Sequence, residues 1–183
     1  TNKYLYLLRY GVAITDNVVA NGCSTTRINR TTMTATRGEV ITNLEEDNIA
    51  WRVALNWNVT DDVLLFGSVS QGAKSGGAPV NTASLYEQNL PAQQEQLLAY
   101  EVGVKAALFE RRLQANVAAF YYDYTDKQMS TFNPDALYTA LARLQNIPES
   151  FAYGVDAELT MRPSENFTLI TAATFLHTEI DGF

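Results

Sequence analysis

The chain has 183 residues, enough for one ordinary domain with a sizeable core, and carries 18% charged residues, a formal charge of −7 and a rich aromatic complement of ten tyrosines, eight phenylalanines and two tryptophans. This balance argues against a general nucleic-acid binder, which needs clustered Lys and Arg to neutralise phosphates. One cysteine, Cys23, and one histidine, His177, leave no intrachain disulfide, no cysteine-rich metal site and little material for a zinc centre or a catalytic triad.

The opening TNKYLYLLRY places Tyr4, Tyr6, Leu8 and Tyr10 on one face of an expected strand, and it is not expected to be a secretory leader. Residues 11–48 are rich in Thr and Asn with weak periodicity, and read as a long loop with room for a little strand. The carboxylates Glu45, Glu46 and Asp47, like Asp61 and Asp62 further on, lack the spaced ligands of a calcium loop and read as solvated turns.

From Ile49 the alternation is strict. Ile49, Trp51, Val53, Leu55 and Trp57 share one side, opposite Ala50, Arg52, Ala54, Asn56 and Asn58, which is the period of a strand with one apolar face. VTDD then makes a tight turn, and a second run over residues 63–73 completes a hairpin. Its end, SVSQGAKSGG, raises the question of a phosphate-cradling loop. Gly67 and Gly72 have the spacing of a P-loop, but Ala73 separates Gly72 from Lys74 and Ser75 and spoils the register. The stretch reads instead as a strand running out into a long loop, with Ser68, Ser70 and Gly72 on the polar side.

Residues 97–122 contain enough Ala, Leu, Gln and Arg for one long helix. The alternation of Leu98, Tyr100, Val102, Val104, Ala106 and Leu108, then of Leu113, Ala115, Val117, Ala119 and Tyr121, favours two strands joined at FERR. After a polar link over residues 125–150 the unit recurs: Phe151 to Met161 alternates, RPSEN turns, and Phe167 to Phe175 continues. Within that link, Asn133 and Pro134 before DALYTALARL have the cap and first-turn proline of a small helix.

Short turns thus alternate with long polar links, and the runs approach the roughly 9–11 residues that a tilted strand needs to cross a bilayer. The expected fold class is all-β, an antiparallel transmembrane barrel with brief turns at one rim and long loops at the other. Trp51, Trp57, Tyr100, Tyr121, Tyr153 and Phe175 suit interface girdles. A soluble β-sandwich would also alternate, and remains the alternative; no apolar run approaches the roughly 18 residues of a membrane helix.

Taken together, WRVALNWNVTDDVLLFGSVSQGAKSGG, YEVGVKAALFERRLQANVAAFYYDYTDKQ and QNIPESFAYGVDAELTMRPSENFTLITAATFLHTEIDGF resemble, in order, the middle barrel strands of TonB-dependent outer-membrane receptors. LLRY resembles the end of an earlier strand. The resemblance covers most of residues 49–183 and implies about seven strands of a 22-stranded barrel, with the plug domain, the TonB box and the remaining strands outside this sequence. Phe183 then reads as an arbitrary end. The chain departs from the family at Ala73, usually an aromatic, and at His177, often an aspartate.

The resemblance implies bacterial outer-membrane uptake of a scarce solute, most often a ferric siderophore, with the lipid bilayer and the TonB complex as partners and no resident cofactor or metal. A porin-like passive channel is the alternative within the membrane. Tyr86, Tyr138 and Arg143 are the loop residues whose aromatic faces and guanidinium suit such a ligand, against the plainer reading that they pack or solvate the loops. No nucleophile, base and orienting partner group together, so an enzyme is not expected.

Overall fold

A computed structural model describes residues 13–14, 26–37, 43–77, 85–135 and 139–181. The strand expected over residues 1–10, Cys23, Tyr138 and Phe183 lie outside the described residues. The described elements are β1 (Ala13–Ile14), β2 (Thr26–Asn29), β3 (Thr34–Arg37), β4 (Trp51–Thr60), β5 (Val63–Lys74), a 3-10 turn (Tyr86–Asn89), β6 (Glu95–Leu108), β7 (Leu113–Asp135), β8 (Thr139–Ser164) and β9 (Phe167–Asp181).

These residues fall into two compact units. One gathers Thr1–Glu46, Ser75–Gln94 and Gln128–Asn146; the other gathers Asp47–Lys74, Glu95–Lys127 and Ile147–Phe183.

The second unit holds most of a six-stranded sheet in the order β4-β5-β6-β7-β8-β9, so each strand lies beside its neighbour in sequence. Where the register is set out, the pairing is antiparallel. Alternation carries straight across the sheet. Val53 pairs with Val69, Val69 with Tyr100 and Tyr100 with Tyr121, while one residue along Arg52 pairs with Ser70, Ser70 with Ala99 and Ala99 with Tyr122. Because the side-chain period is two, this register gathers every expected apolar position on one face and the polar ones on the other.

The turns at one end are short and tied to each other. Asp62 O accepts from Ala107 N at 2.8 Å, Arg112 O accepts from Arg162 N at 2.7 Å, and the Arg111 guanidinium lies 3.1 Å from the Asp62 carboxylate. Phe109, Glu110 and Arg111 run through three successive left-handed conformations, with φ of 53°, 55° and 66°. Each costs an L-residue about 1–2 kcal/mol, so the paired strands on either side must hold this turn.

Two glycines on the polar face mark close approaches. A Cβ on Gly103 would collide with the Phe66 ring, and one on Gly154 would come within 2.7 Å of the Phe120 ring. In each case a ring from the preceding strand covers the bare backbone, a device that pins register.

One expectation fails. Among the described residues, 133–135 and 139–143 are strand rather than helix: β7 runs to Asp135 and β8 starts at Thr139, so most of the expected link over residues 125–150 is strand. The Asn-Pro cap and the Ala/Leu content are local preferences, and pairing of long neighbouring strands overrides them.

The first unit has a three-stranded sheet in the order β1-β3-β2, with β1 parallel and β2 antiparallel to β3. It is the little strand expected in the first loop. Unlike the larger sheet it has its own core, in which Ile28, Ala35 and Leu85 are buried together with Met33 and Leu141 packed against them.

Candidate functional site

In the smaller unit, β2 alternates strictly: Thr26 and Ile28 point inward, Arg27 and Asn29 outward. A parallel bridge joins Thr26 to Leu85, and the 3-10 turn follows directly, its Asn89 side chain donating to Leu85 O at 2.6 Å. This places Tyr86 under the Arg27 guanidinium, 5.0 Å from ring centre to charge. Next to it Arg30 ties three segments together. It donates to the Asp135 carboxylate at 2.6 Å from Nε, meets Glu87 at 3.3 Å, and reaches Ile28 O. Burial works to discharge Arg30, but the Asp135 and Glu87 carboxylates outweigh it and raise its pKa. The Asp135 side chain is only 4% exposed and that of Arg30 33%, so the carboxylate end of this pair is sheltered from water.

The segment over residues 77–92 is closed at its neck. Gly77 and Ala92 exchange two backbone hydrogen bonds at 3.0 Å. The Glu46 carboxylate accepts from Gly76 N at 2.7 Å and from Gln94 N at 2.8 Å, one oxygen each. Gln128 donates to Ser75 O and Gln93 O, and the Asn146 side chain accepts from Gln93 N and donates to Gln93 O. Arg143 lies partly buried on β8 and donates to Gln145 at 2.8 Å.

Tyr86 and Arg143 therefore belong to the same unit, each already engaged by a neighbour. Tyr138 lies outside the described residues. Arg27, Arg30 and Glu46 were not among the sequence candidates. Only the alternation of TRIN hinted at Arg27, and the partners of Arg30 and Glu46 are too distant in sequence to read from it.

The larger sheet offers two faces. On the polar side Glu101, Lys105, Asp156 and Glu158 line a groove of about 700 Å³, in which Lys105 stands 5.6 Å over the Phe66 ring. Arg52 donates to Ser68 at 3.2 Å. Among the described residues no group of three or more His, Cys, Asp or Glu could hold a metal ion.

On the apolar side Trp51, Val53, Leu55, Trp57, Tyr100, Val102, Phe167 and Phe175 are each more than 40% exposed. Aromatic rings form a chain across four strands: Tyr100 to Tyr121 at 6.4 Å, Tyr121 to Phe151 at 6.1 Å, Phe151 to Tyr153 at 6.3 Å, and Tyr153 to His177 at 5.0 Å. His177 is thus an exposed member of an aromatic row, 3.8 Å from Glu179. From Tyr100 to Leu108 a strand rises about 27 Å at ~3.4 Å per residue. A tilt near 40° reduces this to about 21 Å, close to the apolar band of a membrane barrel.

A family profile described as TonB dependent receptor-like, beta-barrel matches residues 15–182. Among solved structures the chain is similar to the alcaligin outer membrane receptor FauA from Bordetella pertussis, at 15% identity and a TM-score of 0.51 over 75% of this chain and 23% of that one. It is similar also to the ferric yersiniabactin uptake receptor FyuA from Yersinia pestis, at 21% identity and a TM-score of 0.55 over 70% of this chain and 18% of that one. The copper transporter OprC matches at 8% identity and a TM-score of 0.55, over 70% of this chain and 20% of its own. At such identities the likeness is one of fold, and the chain spans roughly a fifth of the length of these structures. No curated protein matches it.

Proposed function

The chain belongs to the TonB-dependent receptor-like β-barrel family, and on that premise we propose that it supplies wall and loops to a bacterial outer-membrane receptor that imports a scarce solute, of the ferric siderophore class. The observation that carries this reading is the division of one antiparallel sheet into an apolar face of bilayer height and a polar face lined by Glu101, Lys105, Asp156 and Glu158. Backbone groups within such a wall are satisfied by strand pairing, so an apolar face can stand in hydrocarbon while the other meets a wet or plugged lumen. Two of the similar structures are named as an alcaligin receptor and a ferric yersiniabactin uptake receptor, and that supports the choice of solute.

The plug domain, the TonB box and the remaining strands of a 22-stranded barrel belong, in this reading, to parts of the receptor outside this sequence. TonB acts through those parts, and the smaller unit serves ligand capture. There Arg27 and Tyr86 form one cation-aromatic element, with Arg143 and Tyr138 as further contacts, chemically suited to anionic or aromatic iron chelators.

The test uses the full-length protein in its own host. Deletion abolishes uptake of radiolabelled iron carried by at least one siderophore, and the full-length gene restores it only in a strain with active TonB. Uptake that persists without TonB points to a passive channel and overturns the proposal. A full-length protein that stays monomeric without detergent overturns the membrane reading itself.

A further inference from the structure

Two arginines of the smaller unit, three residues apart, meet opposite surroundings. Arg27 is exposed on β2, and no carboxylate pairs with it among the described residues; its guanidinium rests 5.0 Å above the Tyr86 ring. Arg30 lies just past the end of β2, where the Asn29 side chain sets the turn by accepting from Thr31 N and Thr32 N at 3.0 Å each. There Nε donates to Asp135 Oδ2 at 2.6 Å, Nη2 pairs with the same oxygen, and Nη1 serves both Glu87 Oε1 at 3.3 Å and Ile28 O at 3.4 Å. Arg30 is thus committed to the protein, whereas Arg27 is open to a solute.

The two carboxylates on Arg30 are held unequally. Asp135 is almost fully buried and grips the guanidinium through two nitrogens, so it is the anchor. Glu87 is held by one contact, and its other oxygen, Oε2, is buried with no partner among the described residues. Without Arg30, no other described group retains that carboxylate. A sheltered carboxylate without a cation is unfavourable, and Glu87 follows Tyr86 directly, ~3.8 Å along the chain. The uncommitted cation beside it is Arg27, which already stands over the neighbouring ring.

We propose that Arg30 is a positioning residue that keeps Arg27 available to an anionic, ring-bearing solute: by occupying Glu87, it stops the carboxylate next to Tyr86 from closing an ion pair with Arg27. The guard works twice. A released Glu87 would screen the Arg27 charge and would also repel an anionic chelate at the Tyr86 ring. The purpose of the guard rests on the reading of Arg27 and Tyr86 as a capture element, but the guard itself is a property of four side chains, Arg27, Arg30, Glu87 and Asp135, within one compact unit.

The test uses the full-length receptor in detergent. Arg30→Gln is combined with Asp135→Asn, so that the buried carboxylate is not left without its cation, and this double variant is compared with the wild type and with a triple variant that adds Glu87→Gln. The rate at which phenylglyoxal modifies Arg27, followed by peptide mass spectrometry, reports whether that guanidinium is free. In the double variant it should fall about threefold, the occlusion expected of one part-exposed ion pair. In the triple variant it should return to the wild-type rate. Binding of iron(III) 2,3-dihydroxybenzoate, an anionic aromatic chelate, should weaken and recover in the same order. Equal reactivity of Arg27 in the wild type and the double variant overturns the proposal. So does a fall that Glu87→Gln does not restore, because a brace whose loss merely loosens the hairpin gains nothing when Glu87 is neutralised. A wild type that ignores the iron complex while Arg27 follows the expected pattern counts against the capture reading alone, so the two failures are told apart.

Discussion

The two units are held together by opposite means. The smaller one buries Ile28, Ala35 and Leu85 in a core of its own and closes its segments with Arg30 and Glu46. The six-stranded sheet hides little of its apolar surface: every residue of β4 and β9 is exposed, and Val53, Leu55 and Val102 are 68%, 73% and 62% accessible. Hydrophobic burial can stabilise the first from within, at about 25 cal/mol per Å² removed from water. The second depends on backbone pairing and on what lies against its faces. A segment of sheet can therefore be well specified in register and still require its surroundings to be stable.

Three substitutions sharpen or break that contrast in the full-length receptor reconstituted in bilayers. The largest effect is expected from Leu85→Ala, which removes a side chain that is 1% exposed and costs roughly 2–5 kcal/mol. Hydrogen exchange should show the loss in residues 26–37 and 85–92 and none in β4 to β6; loss spread through the sheet would mean that the units are not separately held. Val102→Arg should cost roughly 2–4 kcal/mol on unfolding from the bilayer, as charge does near the midplane of a lipid face. A change within about 0.5 kcal/mol would place that face in water instead. The smallest effect belongs to Arg111→Ala. Its pair with Asp62 is 71% and 49% exposed, so chemical denaturation should register under about 1 kcal/mol.

The sheet was legible because its instructions are local. Period-two alternation around Trp51, Val102, Val117 and Val155 fixed which face each residue takes, and VTDD, FERR and RPSEN fixed the turns. The stretch NPDALYTALARL was not, since a proline cap and helix-forming residues speak for a local element while pairing between long strands decides. The smaller unit was nearly invisible for a related reason. Arg30 meets a partner 105 positions away and Glu46 meets peptide groups 30 and 48 positions away, and no spacing rule spans such distances. Tyr86 and Arg143 were selected by chemical type alone; what surrounds them became readable only once Arg27 and Gln145 were in place.

The short, mutually bonded turns also bear on the order in which the wall assembles. Closing β6 onto β7 spans the four residues 109–112, whereas closing β5 onto β6 spans the twenty residues 75–94. The longer closure carries about 1.4 kcal/mol more entropy loss by the logarithmic scaling of loop length. Hairpins β4-β5 and β6-β7 are thus favoured over the β5-β6 pairing as kinetic units, each zipping from its turn. The contact between Asp62 and Arg111 then joins one finished hairpin to the next, in advance of the long connection over residues 75–94, and that between Arg112 and Arg162 ties β8 to the same rim.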